Sequence, residues 1–224
     1  MLVQQFGTFR NSFGLIKGHC QAVAQSFQDW QNEFLSRHGF HLNESALSGP
    51  ICDALKKLLP RTAPISTSYL FWPLNDEWTL YFDNGRLGTD ASPPSMLASR
   101  LHTDGIRISL KDELVESGTG RVLQYGATIF EYFEEDKARR FIYAANDGGK
   151  WVFNQGGTPF HFETAETYKS RFVRDRFSAP TLLRYLNELN AGLNEGCESP
   201  NKYGLGRLII KTGKMPRDYV EFHE

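Results

Sequence analysis

Long apolar runs are missing from this sequence. Nowhere in its 224 residues do about 18 uninterrupted apolar residues follow one another, and the beginning carries Arg10 and Lys17 without a continuous apolar region. No membrane contact is therefore expected. Cysteine is scarce as well: Cys20, Cys52 and Cys197 are widely separated and odd in number. That pattern argues against a disulfide framework or paired zinc knuckles and predicts buried or free thiols in a reducing, cytoplasmic setting. Neither sign of charge is in excess, since 25 Lys and Arg face 26 Asp and Glu. With a net charge of −1 there is no global electrostatic drive toward nucleic acid or anionic lipid. Nucleotide signatures are lacking too. Gly118-Thr119-Gly120 and Gly204-Leu205-Gly206 are without the strand, glycine spacing and helix of a dinucleotide fingerprint, and neither a Walker A sequence nor a nucleophile elbow occurs.

What is present reads as alternating strands and amphipathic helices. Phe141 to Ala145, then Asn146-Asp147-Gly148-Gly149, then Lys150 to Phe153 predict a hairpin closed by a two-residue turn at Asp147-Gly148. In that register Ala144 opposes Trp151 and Ile142 opposes Phe153, and the four side chains share a face. Val23, Phe27, Trp30 and Phe34 recur with helical spacing between His19 and Arg37, and Ile51, Leu55 and Leu58 mark a shorter helix before Pro60. Tyr168, Phe172 and Val173 predict a helix after Thr164. Leu182, Leu186 and Leu189 predict another, with Ser178 as N-cap, Pro180 in its first turn and Gly192 just past its end.

Strands are expected at 65–74, 78–82, 106–110, 121–133 and 205–211, with a short helix after Ser92-Pro93-Pro94 and an irregular tail from Met215. Phe6, Phe9 and Phe13 are expected to dock on the core or form an edge strand. The sum is one α+β domain over 1–224, helical over about 1–60, in which an antiparallel sheet, a meander with a hairpin, packs against several helices.

Between the 78–82 strand and the Ser92 helix lies the densest polar loop. Asp83, Asn84, Arg86, Thr89 and Asp90 form a candidate binding loop there, since loops at strand ends gather oxygen ligands. The same residue types also make Asx turns without any ligand. His161 and Glu163, two apart, would point to one side of a strand, where the carboxylate would be placed to orient the imidazole for proton transfer, but an ordinary surface pair beside a helix start is the favoured reading. Glu131, Tyr132, Glu134, Glu135 and Asp136 form a candidate interface, an exposed aromatic in an acidic stretch. No metal-ligand spacing is recognised around His38, His41 or His102, and neither a metal nor a cofactor is called for. Lys169, Arg171, Arg174 and Arg176 are interrupted by Asp175 and read as a solvated helix face rather than a nucleic-acid surface.

The segments WTLYFDNGRLGTD, KWVFNQGGTPFHFE, YKSRFVRDRF and LLRYLNEL resemble motifs of uncharacterised bacterial cytoplasmic proteins, among them proteins similar to polymorphic-toxin immunity proteins. The resemblance covers about half the chain and leaves residues 1–60 outside it. It implies a protein-binding, immunity-like inhibitor that covers a bacterial toxin, whose basic groove the acidic 131–136 stretch would suit. The alternative expectation is a small-molecule or metal-dependent enzyme with Asp83 and Asp90 in its site, Arg86 on an anion and His161 exchanging a proton. A third is a structural subunit whose aromatic surface forms a homo-oligomer.

Overall fold

The computed structural model describes residues 6–194, 196 and 198–223. After a 3-10 turn at Gly7–Asn11 the chain runs through β1 (Phe13–Lys17), α1 (Cys20–Leu35) and β2 (His41–Leu47). The helix α2 (Ile51–Lys56) and strand β3 (Arg61–Ala63) lead to β4 (Ser68–Pro73) and β5 (Trp78–Asp83), followed by α3 (Ser92–Leu101) and β6 (Asp104–Lys111). A small hairpin, β7 (Leu114–Val115) with β8 (Val122–Gln124), precedes the meander β9 (Ala127–Glu134), β10 (Lys137–Asp147) and β11 (Lys150–Gly157). Two 3-10 turns at Ala165–Lys169 and Val173–Asp175, then α4 (Ala179–Glu188), β12 (Gly206–Thr212) and β13 (Val220–Phe222), complete the described elements.

Nine strands make one sheet, ordered β11-β10-β9-β6-β1-β5-β4-β12-β2, with every pairing antiparallel. The α+β class is the one expected. Period-two alternation sends Trp78, Leu80 and Phe82 of β5 to one face and Thr79, Tyr81 and Asp83 to the other. Helices cover both faces, so all six are buried. On the first face α2 and α4 pack Leu55, Leu182 and Leu186 over Leu15, Leu70, Leu80 and Phe130. On the second, Val23 and Phe27 of α1 and Leu97 of α3 pack over Ile16, Phe71, Tyr81 and Ile209. Gly14 lets α3 sit close to the sheet, because a Cβ there would come within 2.6 Å of Pro94 Cγ.

Several expectations need correction. The first 60 residues are not only helical: β1 and β2 both join the sheet, and β1 lies in its centre between β5 and β6 instead of at an edge. The β10–β11 turn is Gly148-Gly149, with φ of 61° and 101°, so Asp147 opposes Lys150 and Ala144 opposes Phe153. A two-residue hairpin turn of this hand needs positive φ at both central positions, and Gly-Gly supplies it without strain. The slip is by two residues, which preserves the faces: Ile142, Ala144, Trp151 and Phe153 still share a side.

The helix expected after Thr164 is replaced by two 3-10 turns, because Ser170 (φ −51°, ψ 142°) and Phe172 (φ −86°, ψ 122°) are extended. The Ser170 carbonyl accepts Arg176 Nε at 3.0 Å instead of a helical N–H. Helix α4 ends before Gly192, with Asn190 taking the left-handed conformation at φ 55° and the Ala191 N–H closing on the Leu186 carbonyl at 2.8 Å. The 121–133 run is broken between β8 and β9, and the tail contributes β13, paired with β3.

Cys20 is a buried free thiol that burial pushes up to about 12, so it stays protonated. Cys52 is disulfide-bonded, which overturns the expectation of free thiols throughout; Cys197 and residues 1–5 lie outside the described residues. Among the described residues no helix is long and apolar enough to cross a membrane.

Candidate functional site

Asp83 is the last residue of β5, and its side chain lies with that of Tyr81 on the α1 and α3 face. Across the sheet Tyr69 of β4 stands opposite Asp83, and Ile209 of β12 stands opposite Tyr69. Two residues on from Ile209, Lys211 therefore falls on the same face at the same end of the sheet. Its backbone N–H bonds the Thr67 carbonyl at 2.7 Å, which fixes that end of β12 against the approach to β4. The 62–66 segment, the 85–90 loop and one side of α1 rise around these groups and enclose a cleft of about 530 Å³. Phe27, Ile65, Tyr69, Tyr81, Pro93 and Lys211 are among its walls. That is the size of a small-molecule site, and its walls mix apolar residues with Gln31, Ser66, Asp83, Arg86 and Asp90.

The carboxylate of Asp83 is buried and fully used. It accepts from Tyr81 Oη at 3.0 Å, Ser66 Oγ at 3.0 Å, the Gly85 N–H at 2.8 Å and the Asp90 N–H at 2.8 Å. Burial raises its pKa, and the four donors oppose that rise. The Tyr69 and Tyr81 phenols are held well above their ordinary value, by burial first and by Asp83 second. Tyr69 Oη donates to the Ser66 carbonyl at 2.7 Å.

Lys211 has the opposite character. Only 7 % of the residue is exposed, and its ammonium makes no hydrogen bond or ion pair with any described residue. It lies 5.2 Å from the Tyr69 ring centroid and 6.0 Å from that of Phe40. Desolvation lowers its pKa to about 8, against a smaller opposing pull from Asp83 and Asp90. The arrangement is a lone amine in an apolar collar, opening on a cleft.

The predicted loop residues divide by role. Asn84 is buried and staples the loop: its Oδ1 accepts from the Thr67 and Ser68 N–H groups at 2.8 and 3.1 Å, and its Nδ2 donates to the Pro60 carbonyl at 2.8 Å and Thr67 Oγ1 at 3.1 Å. Asn84→Ala should therefore destabilise the fold by about 2 kcal/mol, the cost of several buried groups left without partners; an unchanged urea midpoint would remove the staple role. Thr89 is buried, and its carbonyl accepts Ser12 Oγ at 3.3 Å. Arg86 stacks on Phe222 at 3.7 Å. Asp90 is exposed and accepts from the N–H and Oγ of Ser92 at 3.0 and 3.1 Å, ahead of α3. Asp83 and Asp90 thus meet through a backbone N–H and not as two free carboxylates, and the described residues contain no group of three acids, histidines or cysteines able to hold a metal.

Other expected sites do not assemble. Tyr132 is buried at 6 % exposure, so it is no exposed anchor. Its alternation in β9 turns it toward the core, Glu131 is paired with Arg107 at 2.8 Å, and Glu134 with Arg139 at 3.0 Å. Glu135 takes the β9–β10 turn with φ 52°, and Asp136 is exposed beside it. Glu163 does not orient His161, because its carboxylate is taken by Arg140, by the Phe160 N–H and by Tyr168 Oη. His161 stands exposed in a loop outside the cleft and packs edge-on against Phe162.

Sequence reasoning missed Lys211. The available signal was its register: in the alternation of Leu208-Ile209-Ile210-Lys211 it shares a side with Ile209, which places a charge at an inward position. Comparison of the chain with models of known protein families, with curated proteins and with solved structures finds no match.

Proposed function

We propose that this chain binds a small organic molecule in the cleft at the β4, β5 and β12 end of the sheet. The observation that carries this reading is Lys211, a residue only 7 % exposed whose ammonium has no hydrogen-bond or ion-pair partner among the described residues and which lines the cleft. A buried charge left without a partner is costly, and a ligand oxygen is the partner this one lacks. Pro64, Ile65 and Leu87, which line the cleft and keep accessible apolar surface, supply contact for the ligand body, over a floor of buried Phe27, Tyr69 and Tyr81. Ligand-observed NMR with benzoate and benzamide tests it: binding is expected with the wild type and lost at least tenfold in Lys211→Met. Equal binding by both proteins, or none by either, counts against the cleft.

A second reading, the immunity-like inhibitor of a bacterial toxin, is favoured by one observation away from the cleft. The β7–β8 hairpin and the residue that follows it expose Leu114, Val115, Leu123 and Tyr125 at 45–59 %. It replaces the 131–136 stretch as the surface on which a partner would dock. Cells producing a toxin encoded beside this protein should be protected by the wild type and not by a folded Leu114→Ser, Leu123→Ser variant. Protection that survives the double change removes this surface, and absence of any protection removes the inhibitor reading for that toxin.

A further inference from the structure

We propose that Lys211 condenses reversibly with the carbonyl group of a small aldehyde or ketone held in the cleft, forming an imine. This rests on the reading of the cleft as a small-molecule site and names the chemistry of its ligand. The structure carries two requirements of such chemistry. The first is an amine that is free to react. Exposed lysines here are tied up or hydrated, as Lys56 is by Asp53 at 2.8 Å and Lys169 by Glu166 at 3.1 Å. The amine of Lys211 has no ion-pair partner among the described residues, so no carboxylate locks it as ammonium. The second is a site that holds a compact electrophile against that amine while limiting water. Lys211 and Tyr69 both line the cleft, and the amine lies 5.2 Å from the Tyr69 ring centroid and 6.0 Å from that of Phe40.

The charged and titratable groups that face Lys211 are few. Asp83 on β5 and Asp90 in the following loop act on it from a distance, and both favour the ammonium. Tyr69 on β4 and Tyr81 on β5 stay protonated because burial raises both phenols. From α1 the cleft is lined by Phe27 and Gln31, which carry no charge, and Arg86 is the cation of the loop wall. Desolvation prevails over the two carboxylates, so an appreciable share of Lys211 is neutral near pH 7.

The step balances without an oxidant or a reductant. The Nζ lone pair attacks the carbonyl carbon, the carbonyl π pair moves to oxygen, and the proton that nitrogen sheds is matched by the proton that oxygen gains. The resulting carbinolamine loses that oxygen as water while the C=N bond forms. One amine and one carbonyl compound give one imine and one water, and hydrolysis runs the same path backward. The net charge of the cleft is also suited to this class of ligand, because Asp83 and Asp90 offset Lys211 and Arg86 and so disfavour a strongly anionic occupant.

The test is reductive trapping. The full-length protein is incubated with benzaldehyde and sodium cyanoborohydride at pH 7, and each lysine is read by peptide mass spectrometry. Lys211 should be alkylated at least tenfold faster than Lys56, since a lysine titrating near 8 is about a tenth neutral at pH 7 and an ordinary one about a thousandth or less. Its rate should level off through a midpoint near pH 8, while that of Lys56 keeps rising. Lys211→Arg, which keeps the charge, should remove the fast site, with circular dichroism confirming that the variant is folded. Labelling of Lys211 no faster than of Lys56 overturns the imine proposal. If benzamide still binds in that case, the cleft reading stands alone; if benzamide also fails to bind, both fall for this ligand class.

Discussion

Replacing Glu163 by glutamine should lower the stability of the protein by about 3–5 kcal/mol, the range for removing one partner of a buried ion pair. The pair is Arg140 and Glu163, whose side chains are only 1 % and 3 % exposed. Arg140 Nε donates to Glu163 Oε1 at 2.9 Å and Nη2 to Oε2 at 2.6 Å, a two-pronged geometry that suits the planar guanidinium. Arg140 Nη1 reaches the Gly156 carbonyl at 3.0 Å, and Nη2 also bonds Gln155 Oε1. Glu163 accepts two further bonds, from the Phe160 N–H at 2.9 Å and Tyr168 Oη at 2.8 Å, and Tyr168 in turn meets Tyr185 Oη of α4 at 2.8 Å. Desolvation pulls the Arg140 pKa down, yet the bonds to Glu163 more than restore it, so the guanidinium is charged at every pH at which the protein folds. The glutamine variant keeps the shape and leaves that charge unanswered.

Arg140 lies on β10, Gln155 and Gly156 on β11, and α4 covers the same face, so the network joins the meander to the helix layer. Urea unfolding at pH 7 measures the effect, and a loss smaller than 1 kcal/mol would mean that water or a neighbour answers the charge. Arg140→Met with Glu163→Gln should recover part of the loss, since removing both charges is cheaper than stranding one.

The same glutamate shows where the sequence was legible and where it was not. From sequence His161 and Glu163 read as an ordinary surface pair beside a helix start; the buried partner of Glu163, Arg140, lies 23 residues away and is reached only because β10 and β11 pair. Periodicity reports which side a residue faces but not whether the other side is covered: the alternation of Trp78, Leu80 and Phe82 reads as a half-buried strand, yet β5 is buried on both faces, while the 83–90 loop does border the cleft. Periodicity does not report which strands become neighbours. β1 reaches the middle of the sheet and β12 reaches β4 through long-range pairing, so the juxtaposition of Tyr69, Asp83 and Lys211 has no local signature.

Glycine and asparagine carried turn information with less fidelity. Asp147-Gly148 and Gly148-Gly149 are both acceptable turn pairs to the eye, and positive φ at two successive residues decides between them. Asn190 and Gly192 are separated by the same argument, since asparagine is the side chain that best tolerates the left-handed region after glycine. Acidic density near an aromatic was a poor guide to an interface. Of Glu131 to Glu134 only Tyr132 is buried, because its place in β9 turns it into the core, whereas Glu134 at the strand end is exposed.

Lys211→Met should act in the opposite sense to Glu163→Gln and raise stability at pH 7 by roughly 2–3 kcal/mol. In the folded chain Lys211 titrates near 8 against 10.5 for an ordinary lysine, chiefly through desolvation. Between those values the unfolded chain binds more protons than the folded one, so stability rises with pH across this window and is lowest below it. At 1.36 kcal/mol for each pH unit of difference, holding the ammonium in this site costs roughly 3 kcal/mol at neutral pH. Methionine retains an unbranched apolar stem beside Phe40 and Tyr69 and carries no charge to desolvate. The check is a set of urea unfolding curves for both proteins from pH 7 to 10.5. The stability gap between them should be widest at pH 7 and close toward pH 10.5, whatever the tyrosines contribute to both curves. A variant less stable than the wild type at pH 7 would mean that the ammonium has a partner that compensates its burial. A gain at pH 7 combined with loss of benzoate binding would give Lys211 the profile of a functional residue, one whose position is unfavourable to the fold and favourable only to what the cleft holds.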